Sequence, residues 1–197
     1  VNLSVGVGES IAILGASGSG KTTLLTLLAG LDLPTTGEIF LATERLSALN
    51  EEGRAKARAN YIGFIFQSFQ LLPTLTALEN VMLPLELQYV DDRDARERSR
   101  EWLDKVGLSH RLNHYPATLS GGEQQRVAIA RAFVTKPKII LADEMTGNLD
   151  TQTGKLITDI LFALNEKEKT TLVLVTHDET LALRCSKRYR LQEGILQ

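Results

Sequence analysis

The chain has 197 residues, of which 43% are hydrophobic and 23% charged, enough for one α/β domain with a substantial core. A formal net charge of -2 and a pI of about 6.0 exclude a strongly basic surface, so we do not predict nucleic acid as a partner. A single cysteine excludes an internal disulfide. No apolar run reaches the roughly 20 residues of a membrane-spanning helix, so membrane contact is expected only through a partner.

Hydrophobic patterning predicts that strands and helices alternate along the chain. Period-2 alternation and short apolar runs indicate strands, whereas apolar residues repeated every three or four positions indicate helices. In chain order we predict strands at residues 1–7 and 11–14, a helix at 21–29, a strand at 36–41, a polar helix at 50–59, a strand at 61–66, a helical region over 78–134, a strand at 138–144, a helix at 154–165, a strand at 171–177 and a terminal hairpin at 188–197.

This order predicts a single α/β domain, residues 1–197, with an insertion. Apolar strands that alternate with helices are typical of a mostly parallel sheet covered on both faces. Residues 1–66 and 136–197 form the predicted catalytic core, and residues 67–135 form an inserted α-helical subdomain.

A glycine-rich loop follows the second predicted strand. The stretch GASGSGKT, residues 15–22, fits the phosphate-loop pattern G-x-x-x-x-G-K-[ST] between a strand and a helix. In this pattern backbone N–H groups bind phosphate oxygens, Lys21 reaches the β- and γ-phosphates, and the Thr22 hydroxyl ligates Mg²⁺. The alternative is a glycine-rich turn that binds no ligand. The predicted ATP-binding residues are Gly15, Ala16, Ser17, Gly18, Ser19, Gly20, Lys21, Thr22 and Thr23.

Two acidic residues, Asp143 and Glu144, end the predicted strand at 138–144. Ligands of an open α/β sheet bind at the carboxyl ends of its strands, so both acids should face the phosphate loop. We expect Asp143 to hold Mg²⁺, directly or through water, and Glu144 to orient or deprotonate the water that attacks the γ-phosphate. The alternative is an ordinary acidic junction between a strand and a loop.

Gln67 and His177 end two further predicted strands. Gln67 is expected to sense the metal and the attacking water, and His177 to contact the γ-phosphate. Taken alone, each residue is more commonly a turn or capping residue, so these roles depend on the neighbouring motifs.

The stretch LSGGEQQR, residues 119–126, predicts a second anion site. Ser120 and Glu123 fit a capping box, which by itself indicates only a well-capped helix start. Gly121 and Gly122 each cost a helix about 1 kcal/mol relative to alanine, so they need another reason. Bare N–H groups at a helix start bind phosphate. In a two-fold dimer, the glycine pair of each chain can close on the nucleotide of the other.

These motifs together resemble the nucleotide-binding subunit of an ATP-binding cassette (ABC) transporter. The resemblance covers the whole chain and rests on GASGSGKT, the strand-end Gln67, LSGGEQQR, IILADE, GNLD at 147–150 and the strand-end His177. The stretch FIFQSFQLLPTLTALENVMLPLEL further resembles the branch that serves lipoprotein release and macrolide export. The implied fold is an α/β P-loop NTPase with a mostly parallel sheet, a small antiparallel β subdomain and an inserted α-helical subdomain.

The resemblance also implies a mechanism with ATP and Mg²⁺. Family members form head-to-tail dimers that hold two ATP molecules between phosphate loops and signature motifs. Glu144 would act as the catalytic base and His177 as its γ-phosphate partner. The implied residues are Glu144, His177 and Gln67 for catalysis; Ser120, Gly121, Gly122 and Glu123 across the dimer; Asp150 for coupling of the two sites; and Thr22, Gln67 and Asp143 for the metal.

The implied partners are a second copy of this chain and transmembrane permease subunits. A short coupling helix of a permease would enter the groove near residues 66–72, although the apolar residues there fit a subdomain core equally well. The chain would then lie on the cytoplasmic, inner face of the cell (inner) membrane, attached through its partners.

Two features depart from the family pattern. Family members usually begin further upstream, with strands and an aromatic residue that stacks on adenine, so we expect this chain to be truncated at its N-terminus relative to the family. Met145 stands where the family usually has proline. Proline would restrict Glu144 to extended conformations, so methionine is expected to loosen the carboxylate and lower the rate modestly.

Two other functions stay open at this point. One is a cassette ATPase of DNA repair or translation, although the long coiled coil of the first class and the fused double cassette of the second are absent. The other is a truncated docking or regulatory module with poor turnover. A phosphoryl-transferring kinase does not account for LSGGE. The leading prediction is an Mg²⁺-dependent ATPase that converts dimer closure into movement of membrane subunits, with a substrate that this chain does not specify.

Overall fold

The chain, described from Val1 to Gln197 in a computed structural model, alternates strands and helices along most of its length. The strands are β1 (Ser10–Leu14), β2 (Phe40–Leu41), β3 (Glu44–Arg45), β4 (Ile62–Ile65), β5 (Ile139–Asp143), β6 (Thr171–Thr176), β7 (Lys187–Gln192) and β8 (Ile195–Leu196). The α-helices are α1 (Lys21–Leu28), α2 (Glu51–Tyr61), α3 (Ala77–Leu87), α4 (Asp92–Lys105), α5 (Gly121–Phe133), α6 (Thr151–Glu168) and α7 (Glu179–Ala182). None of these helices has the length and apolar character that crossing a membrane requires.

A six-stranded sheet in the order β4-β5-β6-β1-β7-β8 forms the centre of the fold. Five of these strands are parallel, and β8 pairs antiparallel with β7. A separate antiparallel pair joins β2 to β3. The predicted α/β class, with a mostly parallel sheet, a small antiparallel sheet and a helical region, is therefore confirmed.

Apolar clusters cover both faces of the sheet. The larger contains 31 buried residues, among them Ala12 and Leu14 of β1, and extends into the helical region. The second contains 9 buried residues, among them Ile11 and Ile13, and packs against α1. Successive residues of β1 enter different clusters because side chains of a strand point alternately to opposite faces.

The predicted helical region over 78–134 forms three helices, each with a side-chain cap at its start. The caps are Thr76 for α3, Asp91 for α4 and Ser120 for α5, and each accepts a hydrogen bond from a backbone N–H of the first turn. Such caps satisfy N–H groups that have no partner within the helix.

Helix α5 touches the sheet directly near its C-terminal end. A Cβ atom on Gly63 of β4 would lie 2.2 Å from the carbonyl oxygen of Ala132 and 2.6 Å from Cδ1 of Ile140. Only glycine permits such a close approach of two backbones. One end of α5 is thus fixed on the sheet, although the sequence places this helix in the insertion.

Residues 1–7 do not form the predicted strand. Leu3 and Val5 pack against the cluster on the α1 face, which explains the alternating pattern, whereas Val1 and Val7 are exposed. A strand also needs a neighbour for its backbone hydrogen bonds, and β1 is already flanked by β6 and β7. The alternation therefore reports packing of this segment and not strand pairing.

Two other predicted elements have different lengths in the structure. The strand at 36–41 is reduced to β2, because Gly37 has a φ of 95° and interrupts extended backbone. The helix at 154–165 is longer in the structure, where α6 is capped by Asp150 at its start and ends at Glu168, followed by Lys169 with a φ of 54°. The remaining predicted strands and helices agree with the structure within about two residues at each end.

Candidate functional site

The carboxyl ends of four parallel strands bring the predicted site residues to one edge of the sheet. Strand β1 leads into Gly15, β4 toward Gln67, β5 into Glu144 and β6 into His177. Leu14 is in register with Thr176, and Asp143 with Val175. This edge is where open α/β sheets bind their ligands.

Lys21 is held inside the phosphate loop. Its Nζ donates hydrogen bonds to the carbonyl oxygens of Gly15, at 2.8 Å, and Ala16, at 2.9 Å. The same atom lies 3.6 Å from Oε1 of Glu144. Lys21 is only 5% exposed, so its charge is desolvated and interacts strongly with any anion in the loop.

The loop itself has the backbone that a phosphate cradle requires. Gly18 and Gly20 have φ values of 79° and 97°, a region that L side chains rarely adopt. Gly20 is the N-cap of α1 and supplies no side-chain hydrogen bond, so the first N–H groups of this helix have no side-chain acceptor. The buried hydroxyl of Ser19 also lacks a partner. These unpaired donors can bind anionic oxygens.

Asp143 lies next to the phosphate loop at the end of β5. Oγ1 of Thr22 donates to Oδ2 of Asp143 at 3.1 Å. Burial raises the pKa of Asp143 and the charge of Glu144 raises it further, whereas the Thr22 hydrogen bond and the Lys21 charge oppose the shift. The hydroxyl and carboxylate oxygens therefore converge where the sequence predicts a metal.

The Glu144 carboxylate lies between a buried amine and an exposed imidazole. Its Oε2 is 2.8 Å from Nδ1 of His177, and its Oε1 faces Lys21. The side chain of Glu144 is 19% exposed, against 66% for His177. The Glu144 carboxylate is therefore partly open to solvent, as a general base that accepts a proton from water must be.

The backbone of Glu144 bears on the expectation attached to Met145. Glu144 has a φ of 41°, in the left-handed region, and is not extended. Its N–H donates to the carbonyl of Val175 and its own carbonyl accepts from Gly147 N, both at 2.9 Å. Met145 is fully buried in the larger cluster. Methionine at position 145 permits this conformation, which proline would disfavour, and the looser placement of the carboxylate and its effect on rate stay predictions.

Gln67 pairs with Asn148, a residue to which sequence reasoning assigned no role. Nδ2 of Asn148 donates to the carbonyl oxygen of Gln67 at 3.0 Å, and the two side-chain amides lie 3.5 Å apart. A Cβ atom on Gly147 would lie 2.8 Å from Nε2 of Gln67. The GNLD stretch thus contacts Gln67 in addition to containing Asp150. The spacing of the motifs along the sequence did not indicate the contact with Gln67.

The capping box at Ser120 is complete. Oγ of Ser120 accepts from the N–H of Glu123 at 3.2 Å, and Oε2 of Glu123 accepts from the N–H of Ser120 at 2.8 Å. Nε of Arg111 donates to Oε1 of Glu123 at 2.9 Å. The Ser120 backbone bond, with smaller contributions from the Ser120 hydroxyl and Arg111, lowers the pKa of Glu123, although burial opposes them.

The glycine pair has a packing role that sequence reasoning missed. A Cβ atom on Gly122 would lie 2.5 Å from Cγ2 of Thr153 in α6, and one on Gly121 would lie 3.3 Å from Cδ2 of Leu149. Close approach of α5 to α6 is therefore one reason for a glycine at position 122. This contact weakens the inference from glycine to anion binding, which stays a prediction.

Asp150 acts within the chain as the N-cap of α6. Its Oδ1 accepts from the N–H of Thr153 at 3.0 Å, and hydrogen bonds from Thr153 lower its pKa. Gly122 of the signature thus packs against the start of α6, whereas the phosphate loop contacts Asp143 and Glu144. No hydrogen bond or ion pair joins Gly15–Thr23 to Ser120–Glu123 within one chain.

The chain is similar to known proteins over its full length. Residues 1–147 match the family described as ABC transporter. The chain is 54% identical over 197 residues to the uncharacterized ABC transporter ATP-binding protein YbbA of Escherichia coli K12, covering 100% of this chain and 86% of that protein. It is 50% identical over 197 residues to the lipoprotein-releasing system ATP-binding protein LolD of Xanthomonas axonopodis pv. citri, covering 100% of this chain and 81% of that protein.

A solved structure extends the comparison to three dimensions. The ATP-binding cassette MJ0796, in a dimeric post-hydrolysis state bound to ADP and Pi, has a TM-score of 0.91 and 43% identity and covers 100% of this chain and 88% of that chain. The family match covers most of the chain, and the two relatives share at least half of its residues. Together with the shared fold, these similarities agree with the site at the strand ends. The chain therefore belongs to the ABC transporter family.

Proposed function

We propose that this chain is the ATP-binding and hydrolysing subunit of an ABC transporter, which drives membrane subunits through ATP-dependent closure of a dimer. The observation that carries the proposal is the linked group at the sheet edge, in which Lys21 and His177 both contact the Glu144 carboxylate while Thr22 contacts Asp143. A bare phosphate-loop turn would not need two carboxylates and a histidine beside it.

Each of these side chains has a distinct part in hydrolysis. Lys21 and the unpaired N–H groups at the start of α1 bind the β- and γ-phosphates. Glu144 accepts the proton of the attacking water. His177 is hydrogen-bonded to the same carboxylate and holds that carboxylate toward the γ-phosphate. Gln67, fixed by Asn148, orients the water from the other side.

The residues beside the loop fit Mg²⁺. Mg²⁺ in phosphate sites takes one or two protein oxygens and completes its shell with water and phosphate oxygens. Thr22 and Asp143 offer such a hydroxyl and carboxylate pair, and the chain contains no cluster of three metal-ligating side chains that would suit another metal better. When bound, the ion neutralises charge on the phosphates. Gln67 is a further proposed ligand.

The signature residues act on the nucleotide of a second copy. Gly122 packs against Thr153 of α6, and neither Ser120 nor the glycine pair forms a hydrogen bond with the phosphate loop of the same chain. A head-to-tail dimer would bring each α5 start to the other loop, and the dimeric cassette MJ0796 supports this assembly. Asp150, which caps the start of α6, would relay occupancy between the two sites.

A groove of about 280 Å³ beside α5 is the proposed contact with a membrane subunit. It is lined by Ile62, Phe64, Phe66, Pro84, Leu87 and Arg131. Ala59, which also lines it, accepts a hydrogen bond from Nε2 of Gln88 at 2.5 Å. The chain would thereby lie on the inner face of the cell membrane through its partners. LolD is named as the ATP-binding protein of a lipoprotein-releasing system, and this similarity supports lipoproteins or other cell-surface molecules as the proposed substrates.

Hydrolysis of ATP as a function of protein concentration tests the proposal. In the presence of Mg²⁺ we expect turnover per chain to rise with concentration, because each site needs residues of two chains. Glu144→Gln should reduce kcat by about 100-fold or more and should form an ATP-stabilised dimer in size-exclusion chromatography.

Glu97→Gln on the exposed face of α4 is the matched control, since it makes the same chemical change away from the site. It should hydrolyse ATP as the wild-type chain does. A folded wild-type chain that neither hydrolyses ATP nor dimerises with it would contradict the proposed function.

A further inference from the structure

We propose that Arg131 is a positioning residue for hydrolysis, which clamps the loop after Gln67 onto the signature helix α5 through two backbone carbonyls. The inference rests on the proposed function for its catalytic consequence. The clamp itself is a property of the nucleotide-free chain and can be tested without ATP.

The guanidinium of Arg131 binds the loop in a forked geometry. Its Nη2 donates to the carbonyl oxygen of Phe69 at 2.8 Å, and its Nη1 donates to that of Gln70 at 2.6 Å. Arg131 forms no ion pair with any carboxylate of the chain. Burial lowers the pKa of the guanidinium, so these two carbonyls are what satisfies a largely desolvated charge.

The clamped carbonyls belong to an unusual piece of backbone. Phe69 and Gln70 have φ values of 61° and 47°, so two consecutive residues that are not glycine occupy the left-handed region. Such conformations persist only when surrounding contacts hold them. The N–H of Gln70 donates to the carbonyl oxygen of Ser68 at 2.6 Å, and the N–H of Phe69 donates to the carbonyl oxygen of Phe66 at 3.2 Å. These two short-range hydrogen bonds close the loop into a tight turn. Arg131 binds two carbonyl groups of the turn that take no part in these bonds.

The same loop also touches the start of α5. A Cβ atom on Gly121 would lie 3.7 Å from Cζ of Phe69, so the ring of Phe69 lies beside this signature glycine while its carbonyl is bound by the side chain of Arg131, ten positions further along the helix. Helix α5 therefore contacts the loop through two of its residues, Gly121 and Arg131, which lie ten positions, or about 15 Å, apart along the helix axis. The position of Gln67, two residues before Phe69, follows from this attachment.

The inference predicts a specific kinetic pattern for Arg131→Met. We expect kcat to fall about tenfold or more while KM for ATP changes less than about twofold, because the phosphate loop is untouched. In a Gln67→Ala background, the same substitution should lower kcat less than about threefold, since the group that Arg131 positions is already absent. Amide exchange of residues 68–72 should be at least about tenfold faster in nucleotide-free Arg131→Met.

Arg98→Met is the matched control. Arg98 also donates from Nη2 to a single backbone carbonyl, that of Val134, at 2.8 Å, but it does not contact the loop. It should change neither kcat nor exchange at 68–72. If Arg131→Met does not fold, Arg131→Lys keeps the charge and stem but has only one nitrogen, and it should show the same pattern at smaller size.

The outcomes separate the two proposals. Equal losses of kcat with and without Gln67, equal effects of Arg98→Met and Arg131→Met, or unchanged exchange at 68–72 in the Arg131 variants would each overturn the role of Arg131 while ATP hydrolysis by the wild-type chain stands. A wild-type chain without hydrolysis would overturn the proposed function, and the exchange experiment would still decide whether Arg131 holds the loop.

Discussion

Charged residues at the strand ends depend on one another. Glu144 shares its two oxygens between Lys21 and His177, and Asp143 is bonded to Thr22 beside them. Replacing one of these residues therefore changes the environment of its neighbours, so effects of single substitutions on hydrolysis should not be additive.

The raised pKa of Asp143 predicts a pH dependence of stability and of Mg²⁺ binding. The folded chain holds this proton more tightly than the unfolded chain, so the stability contribution is present below the ordinary Asp pKa of about 3.9 and is lost as pH rises through the raised folded value. Asp143→Asn removes the titrating group. We expect the free energy of unfolding of the nucleotide-free wild type, relative to Asp143→Asn, to decrease over this window in denaturant titrations at several pH values.

The apparent affinity for Mg²⁺ with nucleotide should rise over the same window, because the ion competes with the proton. If the free energy of unfolding of the nucleotide-free wild type differed from that of Asp143→Asn by the same amount at every pH, the raised pKa of Asp143 would be contradicted.

At the scale of elements, the contact between α5 and α6 joins the signature to the start of the next helix. Gly122 and Thr153 approach so closely that even a methyl group at position 122 requires a shift. Packing and anion binding are thus two separate demands on one glycine, and a single substitution cannot tell them apart.

A pair of substitutions separates these demands. Gly122→Ala should lower the free energy of unfolding by about 1–3 kcal/mol through overpacking. Thr153→Ser removes the methyl group that clashes and keeps the hydroxyl, so the double variant should recover most of that loss. If Gly122 also binds the partner's nucleotide, the double variant should remain defective in ATP-dependent dimerisation. Dimerisation restored together with stability would show that the glycine serves packing alone.

The sequence predicts elements where local pattern and tertiary structure agree. Residues 171–176 are buried throughout and carry an apolar run at 172–175, and the phosphate loop lies between a strand and a helix as its motif requires. Residues 1–7 alternate equally well but have no strand beside them, since pairing is decided by distant parts of the chain. The roles of Asn148 and Thr153 likewise depend on contacts between separate elements, which no spacing along the sequence encodes.

At the scale of the whole molecule, the proposed active unit is a pair of chains. Each chain holds one phosphate loop and one signature, at places that no hydrogen bond or ion pair connects. Stability in the presence of ATP should therefore depend on the concentration of the protein, and stability without ATP should not.

Thermal unfolding of Glu144→Gln tests this dependence. With Mg²⁺ and ATP at about 100 times the dissociation constant, ligand binding contributes about 2.7 kcal/mol, or roughly 5–10 °C in Tm for a chain of this size. Tm should rise further as the protein is concentrated, because dimerisation adds to the binding free energy. Ser120→Ala in the same background should keep the nucleotide effect and lose the concentration effect. A Tm independent of concentration in Glu144→Gln would argue for a monomeric site.

The contact between Gly63 and Ala132 has a mechanical consequence. Because the backbones touch, α5 cannot slide across the sheet at this point, but it can still tilt about it. Gly121 lies 11 positions before Ala132, about 16 Å along the helix axis, so a tilt of about 10° would displace the signature by about 3 Å. The glycine contact at position 63 thus allows small rotations of α5 near the groove to become ångström-scale movement of the signature, at the surface that would meet a partner's nucleotide.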